Sequence, residues 1–173
     1  LGSHLTNTAS LKEELELHMT KRFKSVIKFY NFLRSNIIAP IKVKLKVLKS
    51  CVLSSLLYNC ETWGNSVPKD LESTYLKMLK SCLGVRLSTP NDLVHIETGF
   101  LPIKAVILAR QYKFYARFKK SIRNNSRREK IFSILLQNQT SFIQHYEQLM
   151  SKYSSVDDII AEFRTQTKER VCE

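Results

Sequence analysis

Apolar side chains recur at steps of three and four through most of the chain, the spacing of one helix face. The first such stripe is Leu11, Leu15, Met19, Phe23, Val26, Tyr30 and Leu33, and it predicts a helix over 11–35. Ser10 followed by Glu13 reads as its capping box, each side chain serving a free backbone N–H. Residues 1–9 have room for a short strand. Pro40 suits the first turn of a second helix. Its opening, IKVKLKV, alternates as a strand would, but Leu45, Leu48, Val52 and Leu56 continue at helical spacing. Asn65, Ser66 and Pro68 break the chain. A third helix over 69–83 carries Leu71, Tyr75, Met78, Leu79 and Cys82, with Gly84 as its stop. Thr89 and Pro90 start a short fourth that ends at Gly99.

Pro102 opens a fifth helix over 102–123, with Ile107, Phe114, Tyr115, Phe118 and Ile122 on one face. Asn124 to Ser126 mark a turn. A sixth helix follows over 127–151, broken near Asn138 to Ser141, and Ser155 with Asp158 caps a last one over 156–170. Gly and Pro, four of each, are too scarce to interrupt these runs more often. The predicted fold is all-α, an irregular bundle of about six or seven helices with no internal repeat. Composition and charge both change near Asn124. The expected division is therefore a basic helical domain over 1–123 and a helical extension over 124–173.

Charge changes the picture most. The chain of 173 residues carries 28 Lys and Arg against 15 Asp and Glu, a net +13. Residues 131–173 hold only 4 of the basic residues and 6 of the acidic ones, so the positive field belongs to the first three-quarters. A field of that size attracts a polyanion. A basic chain that is merely soluble would carry the same sum, but here the cations form rows. Lys42, Lys46 and Lys49 share one narrow arc of the second helix, apart from its apolar set. Arg110, Lys113, Arg117 and Lys120 do the same on the fifth, interleaved with Phe114, Tyr115 and Phe118. Such rows suit phosphates, and binding should then depend steeply on salt.

Bond-making chemistry has no comparable signal. The carboxylates of the middle region, Glu61, Asp70, Glu72, Asp92 and Glu97, form no pair of the kind that holds two metal ions. His95-Ile96-Glu97 has the H-x-E of zinc deaminases without the P-C-x-x-C that would complete it. Cysteines at 51, 60, 82 and 172 have no C-x-x-C spacing, and the four histidines complete no zinc pattern. Reduced, mostly buried thiols are expected, in the nucleus or cytoplasm. The longest charge-free run in the basic part, Ser50 to Cys60, is too short to span a bilayer. No catalytic residue, metal site or cofactor is expected.

Several short segments carry a family resemblance. LLYNCETW, residues 56–63, resembles the "LLYG-E-W" segment downstream of the polymerase palm in reverse transcriptases of non-LTR, LINE-like retrotransposons. Leu1-Gly2-Ser3 looks like the tail of the family's "YLG" primer-grip element, and the first helix like the first thumb helix, with Lys21 and Arg22 near its middle. The run from Leu45 to Leu57 is similar to the helix before that tyrosine and tryptophan. Lys77 to Val85 resembles "LR-ILGV", Thr89-Pro90-Asn91 resembles "TPN", and Glu97 to Ile103 resembles "E-G--P". The match covers about residues 1–123, in one order. Asn59 stands where the family usually has glycine, and the fingers, the palm and its Tyr-x-Asp-Asp element are absent from this chain, as is the zinc knuckle of some members.

The resemblance implies a remnant of the primer grip, a thumb and a connector, following the catalytic core of an RNA-directed DNA polymerase. It implies a partner as well: an RNA–DNA hybrid or other duplex, held by its sugar-phosphate backbone regardless of sequence, beside the missing fingers and palm. Lys21, Arg22, Lys42, Lys46, Lys49, Arg110, Lys113 and Arg117 are the expected backbone contacts. Tyr58 and Trp63 are expected to anchor the end of the second helix, each polar ring atom finding a partner, and Glu61 to pair with a cation or cap the next segment. Stacking of Trp63 on a nucleobase is the sharper alternative. Two other uses of the same scaffold stay open, a retroelement-derived protein–protein module without nucleic-acid binding and a peripheral membrane module.

Overall fold

The computed structural model describes residues 11–63, 67–122, 126–137 and 141–172. Eight helices and no strand occur among them, an all-α arrangement. The first, α1, spans Leu11–Ser35. The second, α2, is composite: an α-helical Ile41–Val47, a π-helical Leu48–Leu53 and a closing turn Ser54–Leu56. A 3₁₀ turn, Cys60–Thr62, follows. Then come α3 (Lys69–Leu83), α4 (Asn91–Thr98), α5 (Ile103–Ile122), α6 (Ser126–Gln137), α7 (Ser141–Lys152) and α8 (Val156–Cys172). The expected strand over 1–9, the cap at Ser10 and the boundary residues 123–125 lie outside the described residues, as do the side chains of Leu11, Leu15 and Met19.

Helix ends fall where backbone chemistry puts them. Pro40, Pro68 and Pro90 each precede a first turn, where a missing N–H costs nothing. Gly84 and Gly99 close α3 and α4 in the left-handed region, at φ of 70° and 69°. Before α8, the Asp158 carboxylate accepts from the Ser154 and Ser155 N–H groups, and Ser155 Oγ accepts from the Asp158 N–H at 3.2 Å, a reciprocal cap.

The alternating IKVKLKV is helical because its continuation has a core to reach. Ile41 and Val43 stay exposed, whereas Leu48, Val52, Leu53, Leu56 and Leu57 are buried. The π-helical stretch widens the turn and brings adjacent Val52 and Leu53 inward together. Ser50 Oγ donates to Lys46 O and Ser54 Oγ to Ser50 O, so hydroxyls supplement a ladder that has shifted register.

Against these side chains pack Val26 and Phe29 of α1, Tyr75, Met78 and Leu79 of α3, and Ile103 and Ile107 of α5. Tyr75 OH donates to Leu101 O at 2.9 Å, and His95 Nδ1–H donates to Phe100 O at 2.9 Å, which pins the link between α4 and α5. Lys80 is buried, its ammonium donating to Leu87 O at 2.7 Å.

A second cluster is mostly aromatic: Tyr112 and Tyr115 of α5, Tyr146 and Leu149 of α7, Tyr153, and Ile159 of α8. Tyr115 and Tyr146 meet edge to face with centroids 5.2 Å apart, as do Phe118 and Phe132 at 5.7 Å. One long helix, α5, thus feeds both clusters, and residues on either side of 123–125 share the second. The basic and acidic parts of the chain are joined by a common core there. Two of the four cysteines, Cys60 and Cys82, are buried, while Cys51 and Cys172 are exposed, so the thiols are half buried rather than mostly so. Burial pushes the Cys60 thiol up to about 12 and the Cys82 thiol to about 11.

Candidate nucleic-acid interface

The turn after α2 decides where the LLYNCETW side chains point. Asn59 has φ of 61° and ψ of 20°, left-handed backbone that Asn tolerates and a β-branched residue does not. The reversal drops Cys60 and Trp63 into the main core and throws Tyr58 outward, with 38% of its surface exposed.

Trp63 is therefore a core anchor, its indole face covered and closed to a nucleobase. Tyr58 is not one; its ring instead lies under the Arg22 guanidinium, 5.0 Å from the centroid. Glu61 forms no ion pair with a described residue and sits in the first turn of the 3₁₀ segment.

Two side chains of α5 reach carbonyls of this turn that each already accept a backbone N–H, Leu57 O from Cys60 and Cys60 O from Trp63. Arg110 Nη1 donates to Leu57 O at 3.2 Å. Gln111, fully buried, donates through Nε2 to Cys60 O at 3.1 Å, and its Oε1 faces His145 Nε2 at 3.0 Å. Because the amide nitrogen is turned to a carbonyl, Oε1 is the acceptor and His145 carries its proton on Nε2. Burial holds His145 below its ordinary value, as it does His95. Arg110 is thus half buried and engaged inside the fold, unlike the other cations of its row.

The remaining expected contacts divide into two groups. Lys21 is exposed and Arg22 half buried on α1; Lys42, Lys46 and Lys49 are exposed on the outer side of α2. The C-terminal half of α1 packs against the second half of α2, so these five residues belong to one helical hairpin. Lys113 and Arg117 are exposed further along α5, beside the aromatic cluster, and Arg117 Nε donates to Lys113 O at 3.2 Å.

The hairpin has a property that the separate rows understate. From Leu17 to Cys60 the chain has nine Lys and Arg residues and not one Asp or Glu. Lys24, Lys28 and Arg34 are exposed members of that set. The signal was in the sequence as a missing sign of charge over 44 residues, and it is invisible when cations are sought helix by helix.

Among the described residues no three His, Cys, Asp or Glu side chains gather as metal ligands, and no helix is long and apolar enough to cross a membrane. The arrangement offers fixed positive charge on ordered helices, which can neutralise phosphates and release their counterions. Compared with known proteins, the chain matches no family model, no curated protein and no solved structure.

Proposed function

We propose that this chain is the thumb and connector part of a non-LTR retrotransposon reverse transcriptase, holding a template–primer duplex by its backbone. Catalysis belongs to fingers and palm elsewhere in the parent polymerase; this part takes no metal or cofactor and works in the nucleus or cytoplasm. The observation that carries the reading is the acid-free stretch Leu17–Cys60 of the α1–α2 hairpin, with Lys42, Lys46 and Lys49 exposed on one side of α2. Contacts of that kind are insensitive to base sequence. The ordered family-like segments over about 1–123 point to the same use.

The test is a fluorescence-anisotropy titration of a labelled RNA–DNA hybrid over a salt series. Neutralising Lys42, Lys46 and Lys49 to Gln should flatten the slope of log K against log salt by about 2.7, at about 0.9 counterions released per phosphate contact. An unchanged slope, with native binding at low salt, would remove the α2 row from the interface.

A second reading is a retroelement-derived helical module that binds protein and has lost nucleic acid. It is favoured by the exposed Ile37 and Ile38 at the hairpin tip. It expects weak hybrid binding with little dependence on salt.

A further inference from the structure

Exposed aliphatic residues are ordinary when scattered, but those at the α1–α2 tip are gathered and held still. Ile37 is 75% exposed and Ile38 98%, and Ile41 and Val43 of the next turn are each 45% exposed. The turn itself is tied at three points. Ala39 N–H donates to Asn36 O at 3.1 Å, Asn36 Nδ2 to Phe32 O at 2.9 Å, and Lys44 Nζ to Ile37 O at 2.9 Å. An apolar knob that is ordered without being covered costs solvation and gains nothing within the chain.

Its surroundings narrow the occupant. Arg34 and Lys42 flank the knob, both exposed, and the nearest carboxylates along the chain are Glu16 and Glu61. A second copy would bring the same positive charge against itself. A bilayer is taken up by a broad apolar helix face, and that face of α2 is already spent on the core through Leu48, Val52 and Leu56. A nucleic-acid duplex offers what the tip presents in negative: two rows of phosphates with a strip of sugar faces and base edges between them. In an A-form or hybrid duplex the minor groove is wide and shallow enough for an aliphatic tip to reach that strip.

We propose that Ile37 and Ile38 press onto the groove of the bound duplex while Arg34 and Lys42 hold the phosphates beside it. The proposal rests on the duplex-binding reading above, and it adds a contact that is not electrostatic. The tip then contributes affinity that persists when salt has stripped the phosphate contacts away.

The experiment compares the wild-type chain, I37S/I38S and K42Q/K46Q/K49Q against a labelled RNA–DNA hybrid over a salt series. Binding to vesicles of phosphatidylcholine with phosphatidylserine is measured in parallel. Both isoleucines are exposed, so I37S/I38S should melt like wild type by circular dichroism. It should bind hybrid about tenfold more weakly at every salt concentration, from the lost burial of two aliphatic side chains, with the salt slope unchanged. The lysine variant should instead lose slope.

If I37S/I38S binds hybrid like wild type while the lysine variant loses slope, the groove contact is wrong and the duplex-binding reading stands. If neither variant differs from wild type, both are wrong. If I37S/I38S keeps its hybrid affinity and loses vesicle binding, the tip serves a lipid surface and the proposal is overturned.

Discussion

Gln111 is the residue whose removal tests the packing of the molecule most sharply. It is fully buried, it donates to Cys60 O at 3.1 Å, and it accepts from His145 Nε2 at 3.0 Å. Gln111→Leu keeps the volume and removes both bonds. The His145 Nε2–H is then left without this partner in a place that water reaches poorly, while Cys60 O loses one of two donors and keeps the Trp63 N–H at 3.3 Å. The orphaned N–H costs about 1–3 kcal/mol and the lost carbonyl bond about 0.5–1.5 kcal/mol, so the substitution should cost about 1.5–4.5 kcal/mol. A domain of this size has about 5–15 kcal/mol to lose. With an m-value of about 2 kcal/mol/M the urea midpoint should fall by roughly 1–2 M, m itself staying constant.

His145→Leu supplies the second edge of a cycle. The double variant should be less destabilised than the two singles combined, by about 0.5–3 kcal/mol, since an apolar pair has no orphan between its members. Amide exchange should quicken over residues 141–152, which this bond ties to the turn after α2. A loss of less than about 1 kcal/mol for Gln111→Leu, or strictly additive costs, would show that the amide is not the tie the geometry makes it.

Two further expectations concern the same region. Burial holds His95 and His145 below the ordinary 6.5, so between the folded and unfolded values the unfolded chain binds protons that the folded chain does not. Stability should be complete above that ordinary value and decline as pH falls through the window beneath it. Urea midpoints measured from about pH 8 down to about pH 5 should drop, less so in His145→Leu, and a flat profile would refute the assignment. At the αL turn, Asn59→Gly should be tolerated and Asn59→Val should cost about 1–2 kcal/mol, read as thermal unfolding; equal costs would mean the backbone had relaxed.

Those residues also mark how far the sequence alone could be read. Helix limits were legible because they are set locally: Gly84 and Gly99 relieve a steric clash, and Ser155 with Asp158 serves N–H groups three residues away. The stripes of α3 and α5 were legible for the same reason, since spacing fixes which side chains share a face. What lies opposite a face is not local. Arg110 belongs to a basic row on a helical wheel, yet it turns to Leu57 O at a helix end 53 residues earlier, which only the folded arrangement brings within reach. Tyr58 and Trp63 look alike as amphipathic anchors, and one left-handed residue between them sends them to opposite sides. The π-helical turn at Leu48–Leu53 has no composition of its own to announce it. Lys80 shows the limit most simply: its burial is decided by a carbonyl in the loop that follows α3.

The placement of charge bears on why a hairpin of this kind would be kept. Lys152 pairs with Glu162 and Arg170 with Asp92, and both pairs involve α8. Between Leu17 and Cys60 the chain has no carboxylate. Nine like charges on two packed helices repel at every salt concentration below full screening, which a fold needing only solubility avoids by interspersing signs. The repulsion is largest where Lys42, Lys46 and Lys49 follow one another along the same side of α2. A row of phosphates reverses its sign, turning each cation from a neighbour's burden into a contact. On the proposed reading the core formed by Leu48, Val52 and Leu56 against α1 and α3 holds the hairpin rigid against its own charge, so that the cations stand ready before the duplex arrives.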